Sequence, residues 1–408
     1  MRKLFLITSS FPFTIHQEHS FIEPELEALT EKFNLHIIPI DARGTCLNIN
    51  QYPYTLINRK DLSFRIKLHQ LPLFILNFLR LVGLNCNQFF TASLILKSSI
   101  LFKKALSASA FSIVFENILN TYDKHDKKSL ILTYWFDDYT VGSLLSKKVL
   151  DGQCLVATKA HRIDLYEDKN NLNYIPFRRF AINRINKVIC ISKHGKNYLQ
   201  QKYPESSGKI TYSPMGIHLD SSVTPIISPI FCTETHFILS CSHVTTVKNI
   251  IRIIDVVKLL QESLGSKINW THIGDGPLLD QINEYATQNL LPNTFTFTRH
   301  LSKKEIYHIY QSTPWKLFIN TSFSEGRPVS IMEALAFGIP IVASNVGGNS
   351  ELVKNNYNGI LFPLEKRNDE LCVEIISLLT NSRQWYSYQK NSFNMFQSSA
   401  NSKINSQK

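Results

Sequence analysis

No C-x-x-C and no H-x-x-x-H spacing occurs anywhere in this chain. Its seven cysteines are scattered, and none of their spacings matches a zinc site. An odd number of cysteines in 408 residues argues against a disulfide framework and for reduced thiols in a cytosolic protein. No D-x-D triplet is present. The adjacent Asp137 and Asp138 suggest a metal-binding acidic pair, but they read more simply as the start of a helix through "YTVGSLL". No stretch reaches the ~18 uninterrupted apolar residues of a membrane span. The nearest, "LPLFILNFLRLVGL", is broken by Pro72, Asn77 and Arg80. Met1-Arg2-Lys3 before "LFLIT" resembles a leader, but the apolar run is too short and "SSFPF" follows at once, so we read a first buried strand. No sequence repeat recurs at a fixed short period.

What is present is ordinary globular material, 44% hydrophobic and 19% charged, enough to bury large cores. At 408 residues the length suggests two domains. Lysine and arginine exceed aspartate and glutamate by 44 to 32, a formal charge of +12. That surplus suits nucleic acid, anionic lipid or a phosphorylated ligand without choosing among them.

Short β-branched runs alternate with helical patterns along the chain. "KLFLITSS", "NLHIIPI", "LILTYW", "CLVATKAH", "KVICIS" and "KITYSPM" read as strands, with "SFIEPELEALTEKF" as an amphipathic helix. The stretch 61–120 reads as helical, apolar and basic. "SSVTPIISPIF", residues 221–231, has two prolines and little helical period, and is the best linker candidate. Beyond it the alternation restarts with "HFILSCSHV", "INWTHIGDG", "FTFTRHL", "WKLFINTS", "IPIVASN" and "GILF". The polar tail from Asn391 is expected to fray. Strands separated by helices predict an α/β chain of parallel sheets covered on both faces. We expect a first domain over 1–226, a second over 227–385, and a terminal helix and tail over 386–408. Two doubly wound, Rossmann-like domains facing each other across a cleft would bind ligands at the carboxyl ends of their strands.

The most informative stretch is "SEGRPVSIMEALAFGIPIVASNVGGNSELV", Ser324 to Val353. Glu325 follows a strand, Gly326 lets backbone approach a ligand, and Pro328 suits the first turn of a helix running to about Phe337. Free N–H groups at that helix start can hold a phosphate, helped by the helix dipole. A carboxylate beside an anion site is best explained by hydroxyl groups, for which it is a strong acceptor. Glu333, inside the helix, can accept from a second pair. Sugar hydroxyls, diphosphate and ribose diol occur in this order in a nucleotide sugar. Taken singly, Glu325 reads more readily as a helix-start charge and Glu333 as a solvated helix residue. The flanking glycines and proline favour the ligand reading of the pair.

These residues carry a resemblance. "EGRPVSIME", with "GIPIVASNVGGNSELV" and "NGILF" after it, resembles the signature of family 4 glycosyltransferases, retaining enzymes of the GT-B fold: a Glu, seven residues, a second Glu, then a glycine-rich turn. The resemblance implies that Glu325 contacts the donor sugar and Glu333 the ribose. It also implies that the backbone of Gly326, Arg327, Pro328, Val329 and Ser330 meets the diphosphate. "LSCSHVTTVKNI" is similar to the family's strand and loop that carry an Arg and, five residues on, a Lys on the diphosphate. Lys248 matches the Lys, whereas His243 stands at the Arg position, so its help would depend on protonation. "HIGDGPLLDQI" matches a "G-x-G-P" turn, which places Gly274 and Gly276 near the nucleotide. "FTFTRHLSKKEI" matches the segment that reads the base, near Arg299 and His300.

In the first half, "LFLITSSFPF…SFIEPELEAL" is similar to the opening of bacterial polysaccharide-assembly glycosyltransferases, with Thr8, Ser9 and Ser10 where a glycine-rich loop is usual. "ATKAHRIDLYED" resembles the loop whose histidine faces the donor sugar, here His161. The plainer explanation of His161 is a satisfied histidine at a strand end, while its place after "LVATKA" points it into the expected cleft. Asp164 either orients it or caps the next turn. Ser9, Ser10, His161 and Asp164 are therefore expected on the acceptor side.

Glu325, His161 and Lys248 are the expected catalytic set, with no covalent nucleophile and no metal or other cofactor. The resemblance implies transfer from a nucleotide sugar to a glycan or polyprenyl-linked acceptor, with retention, in bacterial surface polysaccharide synthesis. A sugar-nucleotide epimerase on the same fold and a non-enzymatic basic binding protein are the alternatives. Nucleic acid is not expected as a partner, because interleaved aromatic and basic motifs are missing. The expected location is cytoplasmic. The apolar, basic segment 61–120, with Lys103 and Lys104, reads equally as a contact with an anionic membrane and as ordinary core helices.

Overall fold

A computed structural model describes residues 1–15, 18–57, 67–83, 94–123, 128–169, 173–219 and 234–405. The chain divides into two compact units, Met1–Ser213 and Pro214–Ser406. The linker candidate at 221–231 lies outside the described residues.

Among the described residues the first unit holds seven strands: β1 (Arg2–Thr8), β2 (Phe33–Pro39), β3 (Tyr54–Leu56), β4 (Ser129–Thr133), β5 (Cys154–Ala160), β6 (Lys187–Cys190) and β7 (Ile210–Tyr212). They lie in the order β3-β2-β1-β4-β5-β6-β7, and every ladder between them is parallel. Alternate residues of β1 serve opposite faces, as the two-residue period of a strand requires. Phe5 and Ile7 pack with Ile131, Phe111 and Phe115. Leu4 and Leu6 pack with Leu35, Ile37, Ile22 and Leu26. Burial on both faces explains why the strand reads as a continuous apolar run.

Pairing β1 with β4 puts a reversal in the winding: β1 to β3 proceed one way, β4 to β7 the other. In the stretch expected to be helical, the structure describes helices Leu71–Gly83 and Leu94–Tyr122. Its segments 61–66 and 84–93 fall outside the described residues. One helical stretch, Ser98–Tyr122, is long and apolar enough to cross a membrane by length and composition, and half of it is buried in the unit. Leu101, Ala105, Ala108, Phe111 and Phe115 join the core from it.

The second unit holds β8 (His236–Cys241), β9 (Ile268–Ile273), β10 (Phe295–Phe297), β11 (Trp315–Asn320), β12 (Ile341–Ser344) and β13 (Gly359–Phe362). The order is β10-β9-β8-β11-β12-β13, again with parallel ladders. Ile238, Trp270, Leu317, Val342 and Ile360 pack with the inner faces of helices Ile250–Leu264 and Asn368–Thr380. The winding reverses between β8 and β11, and the crevice at their carboxyl ends is where such sheets take ligands.

The tail does not fray as far as Asn405. Helix Ser382–Met395 continues into a π-turn, Phe396–Ala400, and a short helix, Ser402–Asn405. Phe396 and Ala400 are buried. Ile217 donates to Ala400 O at 2.8 Å and accepts from Ser402 N at 3.0 Å. One buried aromatic and two backbone bonds outweigh a polar composition that alone predicts disorder.

Candidate functional site

Lys248 and Glu325, 77 residues apart, meet at the β8–β11 crevice: Lys248 Nζ lies 2.7 Å from Glu325 Oε1. Two loops are stitched together to allow it. Phe323 N donates to Val247 O at 2.9 Å, and Thr321 Oγ1 donates to Asn249 O at 2.8 Å. Glu325 is 4% exposed and also accepts from Ser322 Oγ at 2.6 Å and Asn320 Nδ2 at 3.2 Å. Burial pushes its carboxyl up. The charge and hydrogen bond of Lys248, with those of Ser322 and Asn320, outweigh it and hold Glu325 below the ordinary glutamate value. The site is therefore an ionised, internally neutralised pair. Ser322 and Asn320 were not singled out from sequence, because nothing local distinguishes "FINTS" from other strand ends.

The paired glycine of "NVGGNS" has a physical reason. Gly347 has φ +52, and a Cβ there would lie 1.8 Å from Glu325 O. Gly348 N donates to Gly326 O at 2.9 Å. The turn after β12 thus presses directly on the Glu325 loop and fixes it. Gly274, with φ +145, does the same beside β8, where a Cβ would meet Ser242 O at 2.0 Å. A Cβ on Gly276 would meet Val244 O at 2.4 Å. These glycines shape the crevice wall by letting two loops lie in backbone contact.

Pro328 caps the helix Val329–Ala336, whose first turn is half-buried at Val329 and Ser330. The side chain of Arg327 points away from any ligand role: Nε donates to Met215 O at 2.9 Å, Nη2 to Ser399 O at 2.7 Å, and Nη1 reaches Glu351 at 3.3 Å. It ties the Glu325 loop to the tail. Glu333 is not a solvated helix residue; it is 7% exposed. Its carboxyl makes no hydrogen bond among the described residues. Burial pushes it up to about 7, against the charge of Lys303. It lies near enough to Cys241, at the end of β8, to help push that thiol up after burial has done most of it. His243 is exposed in the loop after β8. Arg299 and His300 are exposed after β10. The Arg299 side chain lies 3.8 Å from Asp280, and its carbonyl accepts from Gly274 N at 3.1 Å.

In the first unit the corresponding switch point is occupied by the protein itself. Glu18, 3% exposed, accepts from Ser9 N at 3.0 Å, Ser10 N at 2.5 Å and Phe11 N at 3.0 Å, and from the Trp135 indole. Consecutive N–H groups make an anion nest, so the Ser9 and Ser10 amides are engaged internally. Sequence reasoning missed Glu18 and Trp135, because their meeting depends on a loop folding back over β1. Glu18→Gln would set an amide NH2 against donor N–H groups. We expect a loss of about 2 kcal/mol, read as a lowered urea midpoint with unchanged m. An unaltered midpoint would show that the nest does not need the charge.

His161 follows β5 and is 5% exposed, its ring 4.4 Å from that of Trp135. Neither ring nitrogen has a hydrogen-bond partner among the described residues. Asp164 Oδ2 is 3.8 Å from Nδ1, beyond bonding distance. The Asp164 carboxylate instead accepts from His161 N at 2.6 Å and Phe136 N at 2.7 Å, pinning the loops after β4 and β5. Asp137 caps the helix Asp138–Leu145 through Tyr139 N and Thr140 N.

Solved structures decide the architecture. HepE of Anabaena, crystallised in complex with UDP, superposes with a TM-score of 0.68 over 100% of this chain and 98% of its own, at 16% identity. The chain has the GT-B fold, α/β with two Rossmann-like domains. Residues 230–395, which contain the Lys248–Glu325 site, match the family model described as glycosyl transferases group 1. An uncharacterized glycosyltransferase of Methanocaldococcus jannaschii is 26% identical over 61% of this chain and 64% of its own length. The Escherichia coli UDP-Gal:alpha-D-GlcNAc-diphosphoundecaprenol alpha-1,3-galactosyltransferase is 25% identical over 45% of this chain and 49% of its own. The chain thus spans less than two thirds of the length of these curated relatives.

Proposed function

We propose that this GT-B protein is a glycosyltransferase that moves a sugar from a nucleotide-diphosphate sugar to a glycan or lipid-linked glycan acceptor. The observation that carries this reading is the Lys248–Glu325 pair at the β8–β11 switch point, beside the half-buried first turn of Val329–Ala336. A diphosphate arriving there would meet the ammonium and the helix-start N–H groups, which stabilise the charge that develops as it leaves. Glu325, released from Lys248, would accept from sugar hydroxyls. Glu333 would accept from the ribose diol.

The likeness of the Glu325–Glu333 signature to family 4 supports retention, with the leaving phosphate helping to take the acceptor proton. The opening segment's likeness to polysaccharide-assembly enzymes supports a place in bacterial surface polysaccharide synthesis, on the cytoplasmic side. Peripheral contact with an anionic membrane is supported by helix Leu71–Gly83, which exposes Leu73, Ile75, Leu76 and Leu79. His161, buried against Trp135 with ring nitrogens that have no hydrogen-bond partner among the described residues, is the first unit's candidate for facing the transferred sugar.

A thermal-shift panel of UDP, GDP and their sugars tests the donor, since a bound ligand raises Tm. Incubation with donor alone, with no isomerised sugar appearing, separates transfer from epimerisation. Activity is expected to survive EDTA, because Lys248 and the helix start offset the phosphate charge, and no group of three or more His, Cys, Asp or Glu converges among the described residues. Turnover abolished by EDTA and restored by Mg²⁺ would overturn this account of the leaving group.

A further inference from the structure

The first unit contains a pocket of about 220 Å³ between the loops after β4 and β5, helix Leu94–Tyr122 and helix Arg178–Arg184. Arg178 lines it and is 4% exposed. Its guanidinium stacks on Phe136, with Cζ 3.7 Å from the ring centroid, and Nη2 donates to Asp164 O. Nε and Nη1 have no partner among the described residues. A buried guanidinium stays charged, and leaving its donors unpaired costs free energy, so the site invites an acceptor.

No acid within the pocket supplies one. The Asp164 carboxylate is bonded to two backbone amides. Asp138 is ion-paired with Lys104 at 2.5 Å. Asp137 is engaged as the cap of its helix, accepting from Tyr139 N and Thr140 N, and burial, reinforced by Asp138, pushes its carboxyl up. The remaining wall is largely apolar, including Val141, Ile175 and Phe177. Ile163, 74% exposed, stands at the rim.

We propose that this pocket binds a phosphate-type anion carried on a hydrocarbon chain, an isoprenoid or acyl phosphate, with the anion on the Nε and Nη1 donors of Arg178 and the first carbons against Ile163 and Ile175. An inorganic anion alone would leave the apolar wall wet. A neutral lipid would leave Arg178 unpaired. The inference deepens the proposed transfer by giving the acceptor an anchoring site, and it rests on that reading only for the ligand's role as acceptor.

The test is calorimetry on the full chain, without donor, using farnesyl monophosphate, farnesol and inorganic phosphate. Saturable binding of farnesyl monophosphate is expected, with the other two at least about tenfold weaker. Ile163→Glu, a change at an exposed position, places a like charge beside the anion and should weaken binding about tenfold, whereas Ile163→Lys should keep or tighten it. UDP binding, measured alongside, should be the same in both variants. No saturable binding of farnesyl monophosphate by protein that binds UDP would overturn the proposal. So would equal affinity for inorganic phosphate or farnesol, or equal affinity in the two Ile163 variants. Loss of UDP binding alone would strike the donor assignment and leave this pocket's assignment intact.

Discussion

Lys248→Met is expected to lower kcat by about 10²–10³ and to destabilise the protein as well. The two effects have one origin. Lys248 is the cation that the proposed function sets against the donor diphosphate, and it is also the partner of a carboxylate that is 4% exposed. Without it, Glu325 keeps only Ser322 and Asn320 as donors. Breaking a buried pair costs about 3–5 kcal/mol. The value here should fall toward ~2 kcal/mol, because the Lys248 side chain is one quarter exposed and two neutral hydrogen bonds remain.

The double variant Lys248→Met with Glu325→Gln should recover much of that stability while staying inactive. Urea unfolding of the single and double variants, with turnover measured in parallel, decides it. A single variant as stable as wild type would remove Lys248 from the structural role, and one that turns over normally would remove it from the catalytic role.

Glu333→Gln should stabilise the free protein at pH 8 while weakening donor binding. The Glu333 carboxyl sits at about 7, raised by burial from 4.5. In the unfolded chain it ionises near 4.5, so between these values the folded state holds a proton that the unfolded state has lost. The contribution of Glu333 to stability is thus complete below about pH 4.5, declines as pH rises toward 7, and stays low above it. The rise from 4.5 to about 7 corresponds to about 3 kcal/mol.

Glutamine cannot ionise, so subtracting the variant's stability curve from that of wild type isolates this one group. The donor sees the opposite sign. A ribose diol donates to the ionised form, so wild-type affinity should rise from pH 6 to 8, with the variant weaker by roughly 1.5–3 kcal/mol at pH 8. Denaturant midpoints at pH 5 and 8, with calorimetry on the nucleotide found in the panel, test both halves. Parallel stability curves for the two proteins would show that Glu333 is not buried as an acid. Unchanged affinity would separate it from the ribose.

This pair of results would also explain why the chain keeps a carboxylate inside a helix that has no use for it structurally. The Val329–Ala336 helix buries Ile331, Met332, Ala334, Leu335 and Ala336 around Glu333. An apolar residue at that position would pack without a desolvation cost. A group that lowers stability when unliganded and has no hydrogen-bond partner among the described residues is best placed where a ligand completes it.

Much of the architecture was already legible along the chain. Each buried parallel strand is a short apolar run, so among the described residues twelve of the thirteen strands announced themselves locally. The exception, β3, is three half-buried residues whose pairing with β2 gives it its identity. The Glu325–Glu333 spacing also spoke for itself, because a proline three residues after the first acid and a helical run around the second place one before the helix and one within it.

What lay beyond the sequence were relations between distant segments. That Lys248 neutralises Glu325, that Arg327 turns into the tail, that Glu18 fills the nest at Ser9 and Ser10, and that the polar end of the chain packs are all decided by which loops the two sheets bring together. Local propensity acts over a few residues. Burial, ion pairing and the protonation of Glu333 depend on groups supplied by segments far apart in the chain, and those are assembled only when the sheets close their cores.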